Sequence, residues 1–358
     1  MLLAVLVATA VITSPVRTTT QSVSTFAALS EQLSEPNGEF DTDNLISNES
    51  SYLHVIPALE QGRVTGGVYI GVGPDQNFSY IARIRPATAF IIDIRRDNLL
   101  LHLLFKAIFA SSRNRVEYLS LLTGRAAPDR VDTWRDASID KIATYFDGAK
   151  PLAPAALAAN EQRLHAAMRD TGIPLSDRDL ATIDRFHGQF VRSGLGLQFQ
   201  STGRPAREYY PTYRDLMLET DRRGKQLCFL AAEDDFQYVK GLEAKDQIIP
   251  VVGNLAGPKA LAAIGQEVSR RGEKVSAFYI SNIENYLLRD GSFQRYIENV
   301  KKLPHTERSV VIRSLFGGYQ VPESVPGYYS TSAIQTINEL LASCGSTRCR
   351  SYFDFLKR

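Results

Sequence analysis

The stretch Val68-Tyr69-Ile70-Gly71-Val72-Gly73-Pro74-Asp75-Gln76-Asn77 decides the fold that this sequence predicts. Its first half is a short run of apolar and β-branched residues, which is typical of a strand buried in a parallel sheet. Its second half contains Gly71 and Gly73, and glycine lets the backbone turn tightly and approach a ligand closely. A helix is predicted to follow over 77–84. The stretch therefore predicts a strand, a tight turn and a helix in immediate succession.

Strands and helices alternate over most of the remaining chain. Further apolar strands are predicted at 89–94, 248–253, 275–280 and 309–313. Helices are predicted at 99–110, 213–221, 233–242, 259–271 and 293–302, with a terminal helix at 333–342. Such alternation produces right-handed crossovers and a mostly parallel sheet. We therefore predict an α/β fold with a Rossmann-like, mostly parallel sheet and flanking helices.

A long helical block interrupts this alternation at about 113–195. Within it, Ser176-Asp177-Arg178-Asp179 indicates a capping box at the start of an amphipathic helix. A block of this length between strands is an insertion in a single domain that spans 26–358. It either forms a cap over the ligand site or only widens the core, and the sequence favours neither.

A carboxylate, Asp93, ends the second predicted strand, 20 residues beyond Gly73. A carboxylate at this point can accept hydrogen bonds from both hydroxyls of a ribose. The third glycine of the nicotinamide fingerprint is replaced by Gln76, which argues against a dinucleotide. Ligands of such sheets bind outside the carboxyl ends of the strands. The pattern therefore predicts a nucleoside-binding crevice there.

The pattern of strand, Gly-x-Gly, helix and strand-terminal acid over 68–96 resembles motif I and the following acidic position of the class I S-adenosylmethionine-dependent methyltransferases. The resemblance implies that Gly71 and Gly73 lie beneath the methionine part of S-adenosylmethionine and that Asp93 holds its ribose. Pro74 and Asn77 belong to the same turn and are predicted to contact the cofactor. Pro74 and Asp75 depart from the more glycine-rich form of this motif.

Over its whole length the chain also resembles a bacterial family without an assigned reaction, some of whose members have export signals. The resemblance rests on Gly71 to Phe78, Asp93-Ile94-Arg95-Arg96, Pro250 to Asn254 and Ser281 to Leu287. It supports the fold more than a reaction. In methyltransferases the position of Asn254, after a strand, often lies near the adenine, although a plain turn explains Asn254 equally well.

The segment Ser281-Asn282-Ile283-Glu284-Asn285-Tyr286 is the predicted acceptor side of the site. Asn282 and Glu284 are predicted to face the acceptor, with Glu284 as a general base. Tyr279, Ser281 and Tyr286 are predicted to lie beside the substrate. The Pro-Pro pattern of amino-methyltransferases is absent, so that subclass is not supported. The alternative is that Asn282 caps a helix and Glu284 lies in its first turn.

Other patterns exclude several classes of function. The net charge of +2 gives no electrostatic argument for nucleic acid, so the expected partner is a small-molecule ligand. The five histidines show no metal-binding spacing, and no metal site is predicted. No Gly-x-Ser-x-Gly elbow and no phosphate-binding loop ending in Gly-Lys-Ser/Thr is present. The oligomeric state is not predictable from these patterns.

The N-terminal 25 residues resemble a secretory signal, with an apolar run at 2–12 that is too short to span a bilayer. We expect export and no stable membrane insertion after removal of the signal; if this segment is not a signal, the protein is cytoplasmic. Cys344 and Cys349 would form a small disulfide in an exported protein and stay as two thiols otherwise.

Two functional hypotheses follow from these patterns. One is methyl transfer from S-adenosylmethionine to a small acceptor. The other is an exported protein that binds a nucleoside or another small molecule on the same fold without catalysis. Export favours the second hypothesis, because S-adenosylmethionine is a cytoplasmic metabolite.

Overall fold

The structure, a computed structural model, describes residues 25–40, 42–201, 207–316, 319 and 321–356. The predicted signal segment lies almost entirely outside these residues. No helix in the described part of the chain is long and apolar enough to cross a lipid bilayer.

Six strands form one sheet, in the order β3-β2-β1-β4-β5-β6. They are β1 (Val68–Gly71), β2 (Thr88–Asp93), β3 (Ile248–Val252), β4 (Val275–Ser281), β5 (His305–Phe316) and β6 (Ser330–Thr336). Strands β1 to β5 run parallel to one another, and β6 is antiparallel to β5. This is the strand order of the doubly wound fold, in which the order reverses between β1 and β4. The predicted α/β fold with a Rossmann-like, mostly parallel sheet is confirmed.

Helices flank this sheet. In chain order they are α1 (Phe26–Leu33), α2 (Ile56–Gln61), α3 (Gln76–Ile84), α4 (Arg96–Ser111), α5 (Arg115–Thr123), α6 (Ile139–Gly148), α7 (Pro154–Arg169), α8 (Asp177–Ser193), α9 (Tyr213–Leu218), α10 (Glu233–Ala244), α11 (Ala260–Arg270), α12 (Ile283–Arg289), α13 (Phe293–Val300) and α14 (Ile337–Cys344). Every residue of the central strand β1 is buried, as expected for a parallel strand covered on both faces. The edge strand β3 is also buried throughout, because α1 and α4 pack against it.

The helical block comprises α5 to α8, and the described residues between β2 and β3 contain no strand of the sheet. The predicted capping box is present, because the Ser176 hydroxyl accepts from the backbone of Asp179 and the Asp179 carboxylate accepts from Ser176. The block packs against α4, where the rings of Phe105 and Phe190 lie 6.3 Å apart. Because its apolar face is buried against α4, the block enlarges the core.

The prediction of a terminal helix at 333–342 is wrong in its first part, because residues up to Thr336 belong to β6. The helix begins at Ile337, after a capping box formed by Thr336 and Glu339. The strand escaped prediction because its inner face consists of hydroxyl groups: Ser330 and Ser332 lie 2.8 and 3.2 Å from the Ser51 hydroxyl. Hydrophobic periodicity does not reveal such a strand.

A fully buried ion pair joins α12 to β5. The Arg313 Nε donates to Glu284 at 2.7 Å, and neither side chain is exposed. The Phe355 ring covers the Arg313 guanidinium at 5.4 Å and stacks on Phe293. A disulfide between Cys344 and Cys349 closes the loop that precedes the segment containing Phe355. Glu284 therefore holds α12 against the sheet.

We expect Glu284→Gln to lower the free energy of unfolding by about 3–5 kcal/mol, because it leaves the Arg313 charge buried without a partner. The matched control is Glu298→Gln, which removes the exposed pair between Glu298 and Lys301. The control should leave the free energy of unfolding almost unchanged, because solvent screens an exposed pair. Urea unfolding of the three proteins measures both effects, and equal costs for the two variants would contradict the prediction.

Candidate functional site

A cavity of about 520 Å³ lies at the carboxyl ends of β1 to β4, where the strand order reverses. Residues that follow four different strands line it. They are Gly73 and Pro74 after β1, Asp93 at the end of β2, Asn254 after β3, and Ser281 and Asn282 at the end of β4. The structure thus brings most of the sequence-predicted site residues to one place. No residue of α5 to α8 lines this cavity.

A buried carboxamide, that of Asn77, holds the glycine turn in shape. Its Nδ2 donates to the carbonyls of Val72 at 2.9 Å and Pro74 at 2.7 Å, and its Oδ1 accepts from the Tyr69 hydroxyl at 2.7 Å. A Cβ on Gly71 would overlap this Oδ1, so the turn requires glycine there. Gly71 and Asn77 do not line the cavity. They shape the turn that does.

A buried histidine, His102, forms a hydrogen bond with the same turn. The His102 Nε2 lies 2.9 Å from the carbonyl oxygen of Gly73, and burial lowers the pKa of His102 to about 4. The ring is therefore neutral, and since a carbonyl only accepts, Nε2 carries the proton and donates it. Gly73 itself has φ +80°, a conformation that favours glycine. Nothing in the sequence pattern indicated this contact of His102.

The predicted ribose acid, Asp93, is oriented by an arginine two residues later. The Asp93 Oδ1 accepts from the backbone N–H and Nε of Arg95, both at 3.0 Å, and Oδ2 accepts from Nη2 at 2.9 Å. Arg96 points elsewhere and pairs with Asp179 of α8 at 2.9 Å. Two carboxylate oxygens offer about four acceptor positions, so Asp93 keeps capacity for a ligand hydroxyl.

The loop after β3 is held by a residue that the sequence did not single out, Glu35. Its carboxylate accepts from the backbone N–H groups of Asn254 at 3.0 Å, Lys259 at 2.7 Å and Ala260 at 2.8 Å. The Oδ1 of Asn254 accepts from the Ala256 N–H at 2.9 Å within the same loop. Both the turn and the predicted ligand contact of Asn254 are therefore compatible with its position on the cavity wall.

The segment after β4 divides between the cavity and the core. Ser281, Asn282 and Tyr286 line the cavity, whereas Glu284 and Tyr279 do not. Asn282 stands at the start of α12, but its side chain makes no capping hydrogen bond. The Glu284 carboxylate is buried in the ion pair with Arg313 and does not face the cavity. The geometry therefore does not support its predicted role as a general base. Ser281 has φ +53°. This backbone conformation is energetically unfavourable for a non-glycine residue, and residues strained in this way cluster at functional sites.

A second carboxylate, that of Glu49, does reach the cavity wall. It accepts from the hydroxyls of Tyr279 at 2.7 Å, Ser281 and Ser314. Burial raises the pKa of Glu49, although these three hydrogen bonds oppose the rise. Within the described residues it has no salt bridge. The sequence pattern does not reveal Glu49, because no spacing links it to strands more than 200 residues later.

An amide beside Glu49 has an unused acceptor. The Gln76 Nε2 donates to the Tyr279 hydroxyl at 3.1 Å, while its Oε1 is buried and has no hydrogen-bond partner. Gln76 lines the cavity. A buried polar atom without a partner costs free energy, so this oxygen indicates where a ligand donor would bind.

The remaining acid of the glycine turn, Asp75, faces away from the cavity. Its Oδ2 accepts from the Tyr213 hydroxyl at 2.8 Å in the core, and burial raises the pKa of Asp75 to about 7. Asp75 does not line the cavity, so its titration concerns the stability of the turn.

The sequence matches the family described as "Domain of unknown function (DUF7790)" over residues 45–167 and 187–357, and the chain belongs to this family. No curated protein matches the sequence significantly.

We expect Asn77→Ala to lower the free energy of unfolding by about 2–4 kcal/mol, because it leaves the Tyr69 hydroxyl and the turn carbonyls without partners. The control is Asn338→Ala, which removes an exposed amide and should stay within about 0.5 kcal/mol. Chemical unfolding measures both values. A cost for Asn77→Ala as small as that of the control would refute the structural role.

A pH dependence is expected from Asp75. A carboxyl whose pKa is raised on folding contributes stability below its unfolded pKa, and this contribution is lost as pH rises through the folded value of about 7. Wild type should therefore lose stability relative to Asp75→Asn between about pH 4 and pH 7, by about 1.4 kcal/mol for each unit of pKa shift. Parallel urea titrations across this range test it, and curves with the same pH dependence would disprove it. The buried Glu243, whose pKa is also raised to about 7, is present in both proteins and cancels in the difference.

Proposed function

Because the chain belongs to a family whose description gives no function, we propose its function from the cavity: the protein binds S-adenosylmethionine there and transfers its methyl group to a small-molecule acceptor. The observation that supports this proposal is the convergence of Gly73, Asp93 and Asn254 on one cavity where the strand order reverses.

The order of these residues across the sheet matches the order of parts in the ligand. By resemblance to class I methyltransferases, Asn254 at β3 would lie by the adenine, Asp93 at β2 by the ribose and Gly73 at β1 by the methionine. The strands occur in this same order, followed by β4 with Ser281. Adjacent strands lie about 4.8 Å apart, so β3 to β4 spans roughly 14 Å. An extended nucleoside joined to an amino acid has about this length.

The charge of the cavity favours a cation. Among the residues that the structure describes, its charged lining residues are the acids Glu39, Glu49, Asp93 and Asp290 and the arginines Arg95 and Arg207. Arg95 is already neutralised by Asp93, and Arg207 donates to the Tyr209 hydroxyl. A wall with more carboxylates than cations lowers the energy of a positively charged ligand. S-adenosylmethionine carries its methyl group on a positively charged sulfur.

The residues on the cavity wall are suited to binding the ligand and holding it in position. The glycine turn allows close approach of the ligand, and Asp93 can accept from a ligand hydroxyl in the orientation that Arg95 gives it. Ser281 and Tyr286 border the side of the cavity where an acceptor would lie.

A second candidate is an exported protein that binds a nucleoside without catalysis. The disulfide between Cys344 and Cys349 favours it, because disulfides persist mainly in oxidising compartments, where S-adenosylmethionine is not supplied. Both candidates use the same cavity and differ in the ligand.

Thermal stability in the presence of S-adenosylhomocysteine tests the first candidate. Ligand at about 100 times its dissociation constant should stabilise the protein by roughly 2.7 kcal/mol. Asp93→Asn should remove most of this gain, because it weakens the acceptor for the ribose hydroxyls. The control is Asp97→Asn, which changes a neighbouring acid that does not line the cavity. It should keep the full gain.

No stabilisation by millimolar S-adenosylhomocysteine or S-adenosylmethionine would reject the methyltransferase. Equal stabilisation by adenosine and by S-adenosylhomocysteine would favour the nucleoside-binding protein, since the amino acid part would then contribute nothing.

A further inference from the structure

The mouth of the cavity is surrounded by exposed aromatic rings. Five large hydrophobic side chains are exposed in the described part of the chain. Phe40, Tyr286 and Tyr329 line the cavity, and Tyr209 stacks on Tyr329 with ring centroids 4.0 Å apart. Only the fifth, Phe353, lies elsewhere. Exposed apolar side chains gathered at one place mark a binding surface.

These rings form two contiguous groups. Phe40 packs edge-on against Tyr286 at 5.2 Å, and Phe316 packs against Tyr329 at 5.5 Å. Ring faces and edges of this kind bind flat apolar groups, and they also attract cations. The mouth therefore suits an aromatic ligand group.

Glu49 and Gln76, two buried residues of the cavity lining, offer a carboxylate without a positively charged partner and an amide oxygen without a donor. Glu49 is 1% exposed and has three hydroxyl donors but no salt bridge among the described residues. The Gln76 Oε1 has no donor at all. A buried carboxylate is costly unless a positive charge accompanies it. An ammonium group supplies this charge together with three N–H donors, whereas an alcohol supplies one donor and no charge.

We propose that the methyl acceptor is a small amine on an aromatic ring, whose ammonium group binds Glu49 and Gln76 while its ring lies among Phe40, Tyr286 and Tyr329. The inference rests on the proposed function and adds the acceptor class and a general base to it. Nothing in the sequence pattern assigned either role.

The chemistry balances with these residues. The Glu49 carboxylate takes one proton from the ammonium group, which frees the nitrogen lone pair. The nitrogen forms a bond to the methyl carbon while the bond between that carbon and sulfur breaks, and its electron pair stays on sulfur. The products are S-adenosylhomocysteine and the methylated ammonium ion, and the proton on Glu49 leaves to solvent with the product. The raised pKa of Glu49 makes its carboxylate a stronger base than an exposed one.

Three probes separate the ring from the charge: 2-phenylethylamine, 2-phenylethanol and n-butylamine. Each is titrated against the full chain in the presence of S-adenosylhomocysteine, with binding followed by ligand-observed NMR. We expect 2-phenylethylamine to bind roughly ten-fold or more tightly than 2-phenylethanol, which lacks the charged hydrogen bond. It should also bind more tightly than n-butylamine, which keeps the charge but lacks the ring. Equal binding of 2-phenylethylamine and 2-phenylethanol by the wild type would overturn the inference.

Glu49→Gln should abolish the preference for the amine over the alcohol and leave the stabilisation by S-adenosylhomocysteine in place. The matched control is Glu219→Gln. Glu219 also accepts from a tyrosine, Tyr328 at 2.9 Å, and has a raised pKa, but it does not line the cavity. The control should keep the preference. If Glu49→Gln does not fold, Gln76→Met removes the unpaired oxygen and should reduce the preference.

The outcomes distinguish the inference from the proposed function. Stabilisation by S-adenosylhomocysteine without a preference for the amine overturns the amine site and leaves methyl transfer standing. A preference for the amine without any stabilisation by S-adenosylhomocysteine rejects methyl transfer and leaves the amine site standing.

Discussion

The carboxamide of Asn77 is the interaction on which the cavity depends. It satisfies the carbonyls of a turn that would otherwise be buried without donors, and it does so only because Gly71 has no side chain in its path. The Tyr69 hydroxyl and the neutral His102 hold the same turn from the sheet and from α4. The central wall of the cavity is therefore rigid before any ligand arrives, which reduces the entropy that binding must overcome.

Local pattern was enough to predict the central fold. The buried strands and the turn around Gly73 have strong signals in hydrophobicity and in glycine, and these signals act over a few residues. The same is true of Asp93 and Asn254, whose places follow from the rule that strand ends meet at one edge. The strand β6 was missed because hydroxyl groups of Ser330 and Ser332 fill its inner face.

The acceptor half of the candidate site could not be predicted in this way. Which face of the short helix α12 turns inward depends on Arg313, a partner 29 residues away, so the sequence could not show that Glu284 is buried. Glu49, Glu35 and His102 act through contacts with distant elements and follow no spacing rule. Their roles come from tertiary structure alone.

The segments 35–40 and 42–49 contact three strands or the loops beside them. Glu35 bonds the loop after β3, the Thr42 carbonyl accepts from Arg95 beside β2, and Glu49 accepts from Ser314 of β5, 265 residues later. Contacts between such distant residues close long loops, and many such contacts slow folding. A ribosome-bound chain that ends before β5 therefore lacks Phe316 and Tyr329 of the cavity lining, and the candidate cavity is complete only after β5 and the segment that follows it have been synthesised.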